Sequence, residues 1–205
     1  MRPAPEFADL GGGLFVWQAY DAASKVDLHA SALAVDGRLF FVDPIPLAED
    51  ALTELTADAA PAGIVLTNAN HARAAETFRR RFAVPVCLHP EAVATVDVAS
   101  DAMLDAGGGP VFGGVFEAIP LPGAVPGEIA LYRAEDGGLV IFGDAVINLP
   151  SPGFAVLPDK YCANPKLLRR SLATLLDRPF ARGLFAHGEP MVAKARERLA
   201  GLLAA

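Results

Sequence analysis

Apolar and polar residues alternate with a period of two over residues 13–20, 28–35 and 38–42, and this alternation predicts three strands. Asp36-Gly37 stands between the second and third as a hairpin signal, so the three are expected to form an antiparallel meander. Asp43-Pro44 ends the third strand, because proline has no amide hydrogen with which to continue a ladder. The period then changes. Residues 47–56 have helical character, and residues 63–66, 72–82 and 84–88 read as strand, helix and strand, the helix gathering Ala74, Ala75, Phe78 and Phe82 on one apolar face.

Between residues 101 and 114 the glycines of Gly107-Gly108-Gly109 and Gly113-Gly114 break any regular pattern, which predicts a loop or a pair of turns. Strands return at residues 128–134 and 139–142, on either side of the turn Glu135-Asp136-Gly137-Gly138. Two helices close the chain. The first opens with Asn164 as N-cap and Pro165 at the first helical position, then continues through Leu168, Leu172, Leu175 and Leu176. The second spans residues 191–203 after Gly188-Glu189-Pro190. Two batches of strands, each followed by helices, predict an α+β fold built as a four-layer αββα sandwich, in a single domain over residues 1–205.

The net charge of -7 comes from acids scattered along the chain, and the densest basic run, Arg79-Arg80-Arg81, shares a predicted helix with Phe78 and Phe82. A solvated helix face is the reading of that run, and no nucleic-acid partner is expected. No apolar run approaches the roughly 20 residues that span a bilayer, and Met1-Arg2-Pro3-Ala4-Pro5 lacks a secretory apolar core. The expectation is a cytoplasmic protein with no membrane partner. Cys87 and Cys162 form no local Cys-x-x-Cys pair, and buried free thiols are expected, with a long-range disulfide left open. Gly11-Gly12-Gly13 precedes a strand and Gly107-Gly108-Gly109 is followed by no Gly-Lys-Ser/Thr, so neither is a nucleotide fingerprint.

Four segments carry candidate chemistry: Leu66-Thr67-Asn68-Ala69-Asn70-His71-Ala72-Arg73, Leu121-Pro122-Gly123-Ala124-Val125-Pro126-Gly127-Glu128, Phe142-Gly143-Asp144-Ala145 and Ala186-His187-Gly188-Glu189-Pro190. In this order they resemble the metallo-β-lactamase superfamily, whose motifs are Thr-His-x-His-x-Asp-His, Pro-Gly-His-Thr-Pro-Gly, Gly-Asp and a Gly-His-Gly-like turn. Phe41-Val42-Asp43 and Val86-Cys87-Leu88-His89-Pro90-Glu91 extend the resemblance, as do Ser171-Leu172 through Leu176. The resemblance implies the αββα fold and one or two metal ions at its edge, where several imidazoles and carboxylates converge and leave a position open for water.

Anchored on Thr67, the family's first-motif ligand positions hold Asn68, Asn70, Ala72 and Arg73, and its third histidine position holds Ala124. Only Asp144 and His187 match the family's ligands residue for residue. Carboxamides are poor zinc ligands, alanine offers none, and a permanent guanidinium charge opposes a dication. The sequence therefore reads as a member of that fold with a degenerate, metal-free site, which binds no cofactor. Asp144 and His187 are the candidate catalytic pair, with Asp144 orienting His187 as acid or base. Asn68, Asn70, His71 and Arg73 are the candidate contacts for a small polar or anionic ligand. An Arg73 to Asp144 ion pair is expected to stand in for the metal.

Two alternatives accompany this reading. His71, one position past the second ligand slot, is either a polar residue at a helix start or a third ligand with Asp144 and His187 in a one-metal ester or thioester hydrolase. The third class is an interaction subunit that assembles as a homo-oligomer. Cys87 and His89 are two apart on a predicted strand, where a cysteine is expected in the core rather than as a nucleophile. Cys162 has no identifiable base beside it, and His29, flanked by Asp27 and Ser31, is expected at the surface or an edge. No Gly-x-Ser-x-Gly elbow or His-Glu-x-x-His helix is present.

Overall fold

Asp36 and Gly37 both adopt positive φ, 50° and 71°, the conformation that closes a two-residue hairpin between strands of right-handed twist. Around that hairpin the computed structural model, which describes residues 1–204, builds the first sheet. Its strands are β1 (Ala8–Asp9), β2 (Leu14–Asp21), β3 (Val26–Val35), β4 (Arg38–Val42), β5 (Ala60–Val65), β6 (Val86–Leu88) and β7 (Ala102–Met103), hydrogen-bonded in that order. Strands β1 to β4 are antiparallel, and β4 to β7 are parallel. Helix α1 (Glu49–Leu55) connects β4 to β5, α2 (Ala75–Phe82) connects β5 to β6, and α3 (Pro90–Val93) follows β6.

The second sheet contains β8 (Gly109–Val111), β9 (Phe116–Pro120), β10 (Ile129–Arg133) and β11 (Leu139–Phe142). A hairpin of β12 (Val146–Leu149) and β13 (Gly153–Val156) leads on to α4 (Pro165–Thr174), β14 (Arg182–Phe185) and α5 (Ala195–Ala204). The sheet order is β14-β11-β10-β9-β8, with β14 parallel to β11.

Strand periodicity sorts the apolar side chains into three cores and so fixes four layers. On β4, Leu39 and Phe41 face α1, α2 and α3, while Phe40 and Val42 face the other sheet. On β10, Ile129 and Leu131 meet that inter-sheet core, while Ala130 and Tyr132 pack with Leu168 and Leu172 of α4 and Leu199 of α5. The result is the αββα sandwich that the pattern of strands and helices predicts. Asn164 caps α4 as expected, its Oδ1 accepting from the Leu167 amide at 3.0 Å.

Several boundaries differ from the sequence expectation. The helix expected over residues 72–82 begins only at Ala75, after a separate 3-10 turn over Ala69–His71, and Arg73 between the two takes φ of 35°. The stretch 101–114 holds the short edge strands β7 and β8 rather than turns alone. Helix α5 starts at Ala195, four residues late, because Met191 is held in an antiparallel bridge to Gly183. Strand β9 and the β12–β13 hairpin had no sequence expectation. Both cysteines are free, Cys87 in the inter-sheet core with burial pushing its thiol up to about 11, so its expected place in the core is the one observed. His89 caps α3 and contacts the Ala106 carbonyl instead of Cys87.

Among the described residues no helix is long and apolar enough to cross a membrane. Phe41 is fully buried, edge-on to Phe78 and stacked on Phe82, so it joins the first sheet to α2. Phe41→Ala is expected to lower the free energy of unfolding by about 3–5 kcal/mol in urea denaturation, the cost of a large cavity with little room to collapse.

Candidate functional site

Carboxyl ends of strands from both sheets meet at one edge, and the polar residues there sit just beyond them. Asp43 follows β4, Thr67 and Asn68 follow β5, Asp144 follows β11, and His187 follows β14. Glu128 precedes β10, which runs the opposite way and so starts at the same edge. The Ile129 amide donates to the Thr67 carbonyl at 2.9 Å, which ties the two sheets together beside the cluster. Gly143 is required by crowding. A Cβ there would lie 2.6 Å from Thr67 Oγ1 and 2.7 Å from Glu128 Oε1, closer than carbon approaches oxygen.

Asp43, Thr67, Asn68, His71, Glu128 and Asp144 are all buried, and His187 is partly buried. Asp43 accepts from the Thr67 amide at 2.8 Å and from the Thr67 hydroxyl at 2.5 Å. His71 stands between two acids, with Nδ1 2.9 Å from Asp43 Oδ2 and Nε2 3.1 Å from Asp144 Oδ1. His187 Nε2 is also 3.1 Å from Asp144 Oδ1. The other oxygen of Asp144 accepts from the Asn68 and Asn70 amides at 3.2 and 3.3 Å. Asn68 is shared, since its Nδ2 also donates to Glu128 Oε2 at 2.6 Å while its Oδ1 accepts from the Asn70 amide. Glu128 Oε1 accepts from the Ala145 amide at 2.8 Å.

Protonation follows from this arrangement. Burial and the Arg73 guanidinium both disfavour a charged His71, yet the carboxylates of Asp43 and Asp144 outweigh them and lift its pKa to about 9. Burial pushes Asp144 upward, but the imidazoles of His71 and His187 hold it well below the usual carboxylate range. Burial, then the Asp144 charge, raises Glu128 to about 8, so Glu128 is protonated at neutral pH while Asp144 is ionised. Asp43 is likewise held low by His71 in spite of its burial. Two carboxylates, one imidazolium and the nearby Arg73 guanidinium thus balance in charge.

Of the residues singled out from sequence, Asn68, Asn70, His71, Asp144 and His187 come together. Arg73 does not pair with Asp144. Its Nη1 donates to the His29 carbonyl at 2.7 Å, its Nη2 has no partner, and no Arg73 nitrogen reaches ion-pair distance of Asp144 among the described residues. The strained backbone at Arg73 turns the side chain toward β3, and His71 takes the position between the carboxylates instead. The picture of His71 as an ordinary polar residue at a helix start gives way for the same reason, because its ring is fully engaged and buried. Ala124 contributes a methyl to the core over α4. His29 is buried rather than at the surface, and its Nδ1 accepts from the Gly188 amide at 3.1 Å.

Sequence reasoning passed over Asp43 and Glu128 as site residues. An acid at the end of an apolar strand, or directly before one as in Gly127-Glu128-Ile129, is the signal that could have found them. His71, Asp144 and His187 each offer one donor atom, all within 4.8 Å of one another, and this His-Asp-His set has the composition of a site for a single borderline divalent cation. The Asp43 carboxylate behind His71 Nδ1 is the outer contact such a ligand commonly has.

Comparison with solved structures returns metallo-β-lactamase folds. The DIM-1 metallo-β-lactamase exposed to ceftazidime superposes with a TM-score of 0.79 at 14% identity, covering 99% of each chain. A metallo-β-lactamase from Hirschia baltica gives 0.75 at 14% identity, over 99% of this chain and 97% of that one. A metallo-β-lactamase family protein from Thermus thermophilus gives 0.70 at 21% identity, over 96% and 80%. These likenesses concern the fold. A sequence search of curated proteins returned no match. The family profile described as metallo-beta-lactamase superfamily matches residues 11–177, which carry the first three polar motifs and most of both sheets, and the chain belongs to that superfamily.

Proposed function

We propose that this protein is a metallo-β-lactamase-fold member whose site works without a metal and binds a small polar or anionic molecule. The observation that carries the reading is the saturation of Asp144. A carboxylate offers about four acceptor positions, and four protein nitrogens, from His71, His187, Asn68 and Asn70, already surround this one. The imidazolium of His71 supplies the positive charge that a cation supplies elsewhere. What faces solvent is the exposed Asn70 carboxamide, with one amide hydrogen and its oxygen to spare, and the partly buried ring of His187. Both are hydrogen-bonding groups suited to a polar ligand.

A second reading rests on the convergence of His71, Asp144 and His187. In it these residues hold one divalent cation, which when bound would polarise an ester or thioester carbonyl or lower the pKa of a bound water. The two imidazoles would first have to give up the protons they direct at Asp144. Elemental analysis of protein purified without a metal-affinity tag separates the readings. Metal far below one equivalent, with thermal unfolding unchanged by chelator, is the outcome expected. Stoichiometric zinc, iron or manganese, whose removal abolishes hydrolysis of ester or thioester substrates, would establish the one-metal enzyme.

The protonation pattern also sets a pH dependence. The folded-state pKa of His71 lies above its ordinary value of 6.5, so its contribution to stability is fully present below that value and is lost as pH rises through about 9. Glu128 adds to the same trend, because a carboxyl raised to about 8 in the folded state costs stability as pH climbs from 4.5 to 8. Asp144 acts at the acid end, where its contribution disappears as pH falls below 3.8 toward its depressed folded value. Urea denaturation is therefore expected to give a midpoint that declines from pH 6.5 to pH 9. In His71→Gln the decline flattens, on a protein about 3–5 kcal/mol less stable, since two buried carboxylates lose their shared partner.

A further inference from the structure

Three polar groups of one residue, His29 of β3, reach both histidine-bearing segments of the site. Its backbone amide donates to the Ala186 carbonyl at 3.0 Å, its ring Nδ1 accepts from the Gly188 amide at 3.1 Å, and its carbonyl accepts from Arg73 Nη1 at 2.7 Å. Ala186 and Gly188 stand on either side of His187, and Arg73 stands two residues past His71. A strand of the first sheet thus grips the turn that follows a strand of the second.

The two bonds to that turn act on peptide units. A peptide is planar, so the Ala186 carbonyl moves with the His187 amide, and the His187 carbonyl with the Gly188 amide. Holding both units sets φ and ψ at His187, and with them the direction in which its side chain leaves the backbone. The second unit is pinned at its carbonyl end by the Asn148 amide, 2.9 Å away, and at its amide end by the His29 ring. One anchor would let that unit rotate, whereas two fix its plane. The 3.1 Å contact of His187 Nε2 with Asp144 Oδ1 depends on the direction so fixed.

Burial, the largest influence, and the neighbouring His187 push the pKa of His29 down to about 4, so its ring is neutral at physiological pH and presents a lone pair at Nδ1. The proton is then on Nε2, which is buried with no partner. The donor side of this ring is unsatisfied, so what the side chain contributes is its acceptor.

We infer that His29 is a positioning residue of the Asp144 cluster: through Nδ1 it orients the turn that carries His187, and so aims that imidazole at Asp144. Its effect on ligand binding rests on the function proposed for the cluster, whereas its effect on His187 does not.

Nitrogen-15 NMR of histidine-labelled protein reads the four imidazoles separately. His29→Leu fills the space without an acceptor, and is expected to displace the His187 Nε2 resonance while those of His71 and His89 stay in place. His29→Asn puts a carboxamide oxygen where Nδ1 stood, and is expected to return the His187 resonance to its parent position. Affinity for inorganic phosphate is expected to fall about fivefold in His29→Leu, the effect of one hydrogen bond, and to recover in His29→Asn. An unmoved His187 resonance in His29→Leu overturns the assignment, as does one that stays displaced in His29→Asn, or a displacement shared by His71 and His89, which marks general loosening. If His29→Leu does not fold, the His187 resonance of His29→Asn decides alone. Phosphate that fails to bind the parent protein counts against the ligand reading of the cluster, while the resonances still decide the role of His29.

Discussion

A single imidazole held between two carboxylates organises this end of the molecule. Asp43 ends a strand of one sheet and Asp144 follows a strand of the other, and His71 spans them with both ring nitrogens. A carboxylate faces each ring nitrogen, and their two charges favour the protonated ring over a neutral one whose Nδ1 would accept from the Thr67 hydroxyl 2.8 Å away. The surrounding groups are consistent with that charge. Glu128 is kept protonated next to ionised Asp144, and Asn68 donates to both, so two acids share the space without two negative charges. Thr67 braces the opposite side, donating its amide and its hydroxyl to Asp43.

The close approach that makes this network possible is set by backbone. Gly143 gives Thr67 and Glu128 room to close over the strand end, and Gly188 at φ 118° brings the His187 turn against the Asn148 carbonyl, where a Cβ would lie 2.1 Å away. Asn148 then holds the turn: its amide donates to the His187 carbonyl, its carbonyl accepts from the Glu189 amide, and its side chain donates to the Glu189 carbonyl. The family's ligand positions survive as places in this frame even where their residues differ. Asn68 and Asn70 direct amide donors at Asp144, and Ala124 belongs to the core. Fold and site chemistry are separable in this way, so the proposed metal-free reading rests on the donor pattern at Asp144 and not on the fold.

The layers were legible in sequence because alternation along strands such as β4 and β10 sends neighbouring residues to different cores, and a period of two needs no long-range information. The Asp-Gly hairpin and the Asn-Pro helix start were legible for the same local reason. Strand β9 was hidden by its surroundings, Gly113-Gly114 before it and Pro120 at its end. The site was half legible. Asp144, His187 and the 68–73 segment announced themselves as motif positions, but which cation would stand between the carboxylates depended on the backbone at Arg73, whose φ of 35° sends its guanidinium to the His29 carbonyl. Side-chain direction at a strained position is a tertiary outcome, and residue type alone assigned the role to Arg73 instead of His71. His29 was misjudged because Asp27 and Ser31 beside it suggest a polar edge, whereas its strand runs into the contact with Ala186 and Gly188.

The protonation state of His71 decides between imidazolium and metal as the cation of this site, and nitrogen-15 NMR of histidine-labelled protein at pH 7 reads that state directly. Two protonated ring nitrogens, persisting until the pH approaches 9, are the expected result for an imidazolium that balances Asp43 and Asp144. A neutral ring at pH 7, with Nε2 lacking its proton and its resonance shifted on addition of zinc, would contradict the metal-free site and return the cluster to a cation.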